Sequence, residues 1–123
     1  MVTENSILRN VASAVGIANG DKSFDSELLI DINATLATLN QLGCGKNIVI
    51  TDTEGWDDFK DESQENGNKN FELAKQFVFT RVKMLFDPPV ATSLNIMKGI
   101  SDELAQRILI AYSSDNPTTK VGE

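Results

Sequence analysis

Gly43-Cys44-Gly45-Lys46, just ahead of the β-branched run Ile48-Val49-Ile50, comes closest to recognisable chemistry in this 123-residue chain. A glycine-rich turn followed by lysine can cradle phosphate with backbone N–H groups and one cation. The complete motif also needs a glycine five residues before the Gly-Lys pair, a Ser or Thr after the lysine, and the order strand, loop, helix. Asn40 stands at the first of these positions and Asn47 follows Lys46, and the order here reads helix, glycines, extended segment. Gly43 therefore reads as the C′ residue that ends a helix in a left-handed conformation, and Lys46 as the start of an extended arm. Cys44 is the single cysteine, and no histidine exists in the chain to activate its thiol. The same two counts exclude an intrachain disulfide, a Cys/His zinc site and a histidine-based triad.

The second candidate is acidic. Asp52, Glu54, Asp57, Asp58, Asp61, Glu62 and Glu65 fall in one stretch with Lys60 as the only base among them. Closely spaced carboxylates can collect a hard cation, but an EF-hand loop starting at Asp52 would need glycine sixth, where Asp57 stands, and Trp56 fills a ligand position. Asp57 and Asp58 are adjacent, and neighbours in sequence rarely converge on one substrate as acid and base. The stretch reads as a solvated acidic loop that Trp56 and Phe59, at i and i+3, anchor to the helices. No cofactor, catalytic residue or metal ligand set follows from these residues, so the expectation is a protein that is not an enzyme.

The elements that must carry this segment follow from periodicity. The formal charge of −7, concentrated in the acidic stretch, argues against wrapping nucleic acid and is compatible with a surface that repels it. No apolar run approaches the roughly 20 residues that span a bilayer, and MVTENSILRN carries an acid where a secretory signal would be basic, so the chain reads as intracellular. Thr3 is a candidate N-cap for a first helix through Ile7, Leu8, Val11, Ala12 and Val15. A second helix is expected from about Phe24 to Leu42, with Leu28, Leu29, Ile32, Leu36 and Leu39 inward. Lys46 to Thr51 reads as a strand or extended arm, paired by a neighbouring subunit or packed irregularly. Thr53 or Asp52 can cap a short helical turn to Phe59, and Lys60 to Asn70 is expected to be loop. A third long helix runs from about Phe71 to Phe86, with Phe71, Ala74, Phe77, Val78, Val82 and Leu85 as a continuous apolar stripe, and Asp87-Pro88-Pro89 stops it. Thr92 or Ser93 is expected to cap a last helix to Tyr112, with Gly99 weakening its middle. The expected fold is all-α: a small antiparallel bundle of about four main helices over residues 1–112, with a short extended arm or β segment, and a mobile C-terminal tail over 113–123.

The order LATLNQLG (Leu36 to Gly43), a short extended piece, TEGWDDF (Thr53 to Phe59) and RVKMLFDPPVATSL (Arg81 to Leu94) resembles the head–tail connector, or adaptor, proteins of tailed bacteriophages, over most of the chain from Ile7 to Tyr112. Gly99 and a weakly charged last helix depart from the pattern expected there. The resemblance implies a structural virion protein that is made in the host cytoplasm and works at the head–tail neck. It implies a homo-oligomeric ring of about twelve copies on the portal protein, extending a channel that DNA passes through without sequence-specific binding, and a docking surface for a tail, stopper or tail-terminator protein. It involves no membrane. On that reading Lys46, Ile48, Ile50, Trp56, Asp57, Asp58 and Phe59 make subunit contacts or face the lumen, and the tail residues Asn116, Pro117, Thr118, Thr119, Lys120 and Val121 bind the portal. The rival reading is a small soluble helical regulator or binding module acting as a monomer or dimer.

Overall fold

Alternation of apolar and polar residues at helical spacing dominates the chain, and the computed structural model, which describes residues 6–115, is built of helices joined by bonded turns. They are α1 (Ile7–Ala14), α2 (Asp25–Gln41), α3 (Trp56–Phe59), α4 (Glu65–Asn68), α5 (Phe71–Phe86) and α6 (Ala91–Tyr112), followed by a 3₁₀ turn at Ser113–Asp115. No strand occurs among the described residues, as expected of an all-α bundle.

α5 is the central element. It packs on α2 and on α6, whereas those two make no substantial contact with each other. Phe71, Ala74, Phe77, Val78 and Val82 of α5 are buried. They meet Leu28, Ile32, Leu36 and Leu39 of α2, Leu104, Ile108 and Tyr112 of α6, and Ile7, Leu8 and Val11 of α1 in one apolar cluster. Burying such side chains is worth roughly 1.5–3 kcal/mol each, which is what fixes the helices against one another. Arg9 of α1 reaches Asp25 as an ion pair and Asp21 O at 3.4 Å, tying α1 to the start of α2.

Several boundaries differ from expectation for identifiable reasons. Thr3 lies outside the described residues, and Ser6 caps α1, its Oγ accepting from Arg9 N at 3.1 Å. α6 starts at Ala91 after Val90, which offers no side-chain cap, rather than at Thr92 or Ser93. Leu85, expected in the α5 stripe, is 55% exposed. Lys60–Asn70 is not all loop. α4 forms there because Gly67 lets the Tyr112 ring of α6 lie where a Cβ would otherwise be. Asp115 then accepts from Gly67 N at 2.7 Å, and Tyr112 OH donates to Asn68 Oδ1 at 2.8 Å. The 3₁₀ turn at Ser113–Asp115 is thereby fixed on α4.

Gly99 sits in the exposed middle of α6, and a Cβ added there would meet nothing within 4 Å. Gly99→Ala should therefore raise stability by about 0.5–1 kcal/mol, because alanine loses less backbone freedom in a helix. A urea midpoint unchanged or lowered would contradict this.

Candidate functional site

The segment from Leu42 to Phe59 is positioned by a set of local bonds that begins at the end of α2. Gly43 has φ 95°, its N–H donates to Asn40 O at 3.0 Å, and Cys44 N donates to Leu39 O at 3.0 Å. This is the paired-bond ending in which a left-handed glycine satisfies the last carbonyls of a helix. Gly45 also has a positive φ, 78°, and is buried against the Phe59 ring. The buried Gln64 side chain clamps both glycines, accepting from Gly45 N at 2.9 Å and donating to Gly43 O at 2.9 Å. Asn40 Nδ2 donates to Gly45 O at 3.1 Å. The N–H groups a phosphate loop would offer are thus spent within the chain, those of Gly43, Cys44 and Lys46 on backbone carbonyls and that of Gly45 on Gln64.

Cys44 is fully buried, and burial pushes its thiol up to about 11 despite the neighbouring Tyr112 hydroxyl. Tyr112 is itself raised, chiefly by burial and then by the adjacent Cys44. At pH 8 only about one thiol in a thousand would be ionised even if a reagent could reach it, since each pH unit below the pKa is a factor of ten. Native protein should therefore resist maleimide or disulfide reagents at Cys44 and react rapidly once unfolded in concentrated guanidinium. Rapid labelling of native protein would show that this region opens readily.

Beyond Lys46 the arm runs along α2 without forming a strand. Lys46 N donates to Phe59 O at 2.7 Å, and Ile48 N to Lys46 O at 3.0 Å. At Ile50 both backbone groups are paired by the Asn33 amide of α2. Its Oδ1 accepts from Ile50 N at 2.8 Å and its Nδ2 donates to Ile50 O at 3.1 Å, as the edge of another strand would. Within the described chain this segment forms no strand and is held to α2 at Ile50. Ile50 and Phe59 point into the core, at 2% and 0% exposure, and Ile48 is half-buried. Lys46 and Val49 face outward, with Val49 78% exposed.

α3 places Trp56 and Phe59 on one side. Trp56 stands edge-on to Phe71 and Phe79 at centroid distances of 6.0 and 6.2 Å, and its Nε1 donates to Asn10 Oδ1 at 3.0 Å. Phe59 lies 6.5 Å from the Phe71 ring. Glu54 O accepts from Ile7 N at 2.9 Å, so the arm is also tied to the first residue of α1.

Apart from Glu65, which opens α4, the acidic residues divide into two groups. Glu54 accepts from Thr51 N at 2.6 Å and Thr51 Oγ1 at 2.8 Å, Asp58 accepts from Gly55 N at 2.9 Å, and Asp61 accepts from Ser63 N at 3.0 Å and Oγ at 2.7 Å. Hydrogen bonds from Thr51 hold Glu54 below its ordinary value, and those from Ser63 do the same for Asp61. Asp52, Asp57 and Glu62 are exposed and in no salt bridge among the described residues. No three acidic or thiol groups there come together in a way that could hold a metal.

These shifts give a pH dependence with a definite sign. Groups held low in the fold, Glu54, Asp61 and likewise Asp21 beside Ser23, contribute stability above their unfolded values, and it is lost as pH falls through the folded ones. Asp31 has the opposite sign, being raised first by burial and then by Glu27, so its protonation favours the fold. Lowering the pH from 7 should first hold or raise the melting temperature and then reduce it below about pH 4, where carboxylates ordinarily titrate. A monotonic decline from pH 7 would contradict the Asp31 contribution.

A second surface feature is an open groove of about 380 Å³ between the end of α5 and the first half of α6, with Met84, Leu85 and Leu94 among its walls. Ser101 lies at its floor, its buried Oγ without a hydrogen-bond partner among the described residues. No acid–base pair or activated nucleophile lines it.

The chain belongs to the phage connector protein family: that family's model matches residues 7–115, nearly all of the described fold. Searches of curated proteins and of solved structures gave no match. The family is a structural one, and membership makes the chain a component of the virion at the head–tail junction. No helix among the described residues is long and apolar enough to cross a membrane.

Sequence reasoning identified the Gly43 cap and the paired placement of Trp56 and Phe59. It missed Asn33 and Gln64, the two amides that hold the arm. Their only signal is a polar residue facing inward or sideways on an otherwise well-patterned segment. The tail candidates Asn116 to Val121 lie outside the described residues.

Proposed function

We propose that this protein is a head–tail adaptor that assembles as a ring of about twelve copies on the portal protein, extends the DNA channel and presents a docking surface for a tail, stopper or tail-terminator protein. The observation that carries this reading is the family match across residues 7–115. Large apolar side chains that a lone subunit leaves in water, Ile30, Val49, Ile96, Ile100 and Ile110, support association with other copies.

Within this reading Lys46 to Phe59 contributes to subunit contacts or to the channel wall through its outward residues, Lys46, Val49, Asp57 and Asp58, while Ile48, Ile50, Trp56 and Phe59 set its shape from beneath. Carboxylates on a channel wall repel phosphate and keep DNA from adhering. Asn116 to Glu123 engages the portal. Deleting Asn116–Glu123 should leave the melting temperature unchanged and abolish capture by immobilised portal rings. Undiminished capture would remove the tail from the account, and failure of the full-length chain to bind portal would remove the adaptor assignment itself. Neutralising the exposed Asp52, Asp57 and Glu62 together should slow genome ejection or reduce genome retention, and normal behaviour in both would assign those acids to solvent alone.

A further inference from the structure

Two exposed stripes run along separate flanks of the subunit. On α6, Ile96, Ile100, Glu103, Arg107 and Ile110 recur at i, i+4, i+7, i+11 and i+14 and all face water, with Ile96, Ile100 and Ile110 at 60%, 46% and 69% exposure. This stripe is distinct from the inward one through Ser101, Leu104, Ile108 and Tyr112. On α2, Glu27, Ile30, Ala34, Ala37 and Gln41 recur at i, i+3, i+7, i+10 and i+14, again all exposed, with Ile30 at 70%. Seven-residue recurrence on both helices is the spacing at which helices pack side by side.

The two stripes complement each other and not themselves. The α6 stripe is bulky, and the α2 stripe is small at its centre, where Ala34 and Ala37 leave room for isoleucine. Asn33, one turn from both Ile30 and Ala37, holds Ile50, so the exposed Val49 joins the same apolar surface. Charge agrees with shape at the Arg107 end of the α6 stripe, while Glu103, between Ile100 and Arg107, adds a carboxylate of the same sign as α2. Lys98 and Arg107 beside the α6 stripe are in no salt bridge among the described residues, and neither are Glu27 and Asp31 on α2. Asp31 and Glu27 repel one another, which a partner's cation would relieve. Because α5 separates α2 from α6, contact between unlike stripes is head to tail, an arrangement that gives a ring when the rotation between copies closes.

We propose that copies of this chain associate by laying the outer stripe of α6, centred on Ile100, antiparallel against the α2 surface of the next copy around Ile30, Ala34 and Ala37. Arg107 then lies over the neighbour's Glu27 and Glu103 beside its Ile30, while Ile96 and Ile100 lie over its Ala37 and Ala34. The inference rests on the ring reading and names its interface.

The test uses full-length protein carrying Ala34→Cys and Ile100→Cys, both exposed positions, with native Cys44 left in its core. The protein is mixed with portal rings and treated with a short bismaleimide. The double variant should give a ladder of covalent oligomers on a denaturing gel, and each single variant and the unaltered protein should stay at monomer mass. Rings visible by electron microscopy without a ladder would overturn this interface while leaving the adaptor function intact. A covalent dimer from Ile100→Cys alone would overturn it in favour of like-with-like packing of α6. Absence of any assembly on the portal would overturn the interface and the ring reading together.

Discussion

Gly45→Ala is expected to destabilise the protein by about 3 kcal/mol, because two costs add. Gly45 has φ 78°, a conformation that costs an L-residue about 1–2 kcal/mol. The new Cβ would also fall inside van der Waals contact with the Phe59 ring, and Phe59 is fully buried, so the ring has nowhere to retreat without moving Phe71. Overpacking of this kind adds roughly 1–3 kcal/mol. Gly16→Ala separates the two costs. Gly16 has φ 92° but nothing lies within 4 Å of its Cβ position, so only the backbone cost of about 1–2 kcal/mol applies. Chemical denaturation should rank Gly45→Ala clearly below Gly16→Ala, and equal losses would show that the Phe59 ring moves aside freely.

Asn33→Ala should cost about 2 kcal/mol and, more specifically, release the arm. The Asn33 side chain satisfies both backbone groups of Ile50, whose side chain is 2% exposed. Removing it strands a donor and an acceptor at a penalty of roughly 1–3 kcal/mol where water cannot fully replace them. The bonds from Lys46 N to Phe59 O and from Ile7 N to Glu54 O remain, so the loosening should be confined to the stretch between them. Amide hydrogen exchange should accelerate by roughly tenfold or more at Ile50 and its neighbours while α5 amides keep their protection. Exchange unchanged at Ile50 would mean that Phe59 and the core contacts of Ile50 hold the arm unaided.

The same contacts explain which parts of the fold could be read from the sequence. The ending of α2 was legible because it is local: Gly43, Asn40 and Leu39 lie within five residues, and glycine after an apolar helical run has one common conformational use. The inward faces of α2 and α5 were legible from periodicity alone. The arm was not, since what holds it at Ile50 is an amide 17 residues away. α4 was hidden for a similar reason. Glu-Asn-Gly-Asn has no apolar period, and it is helical because Tyr112 and Asp115, more than 40 residues later, pack on it and bond to it. The start of α6 at Ala91 escaped because Val90 offers no side-chain cap signal.

The proposed interaction surfaces show the same division. The acidic stretch and the arm stand out in composition, but only the fold shows that Glu54, Asp58 and Asp61 are spent on local turns, while Asp52, Asp57 and Glu62 remain exposed. Likewise, Ile96, Ile100 and Ile110 look like core residues in a sequence. They become surface once Ser101, Leu104, Ile108 and Tyr112 have taken the inward face of α6.

The central claim is that the chain forms a ring on the portal, coaxial with the DNA channel. Electron microscopy of purified portal rings mixed with an excess of this protein tests it most directly. The account predicts one additional ring of density on the portal axis, with an open bore continuous with the portal channel and a mass of about twelve copies of the 13.4 kDa chain. Portal particles unchanged by the protein, or density attached off the axis with no bore, would contradict it.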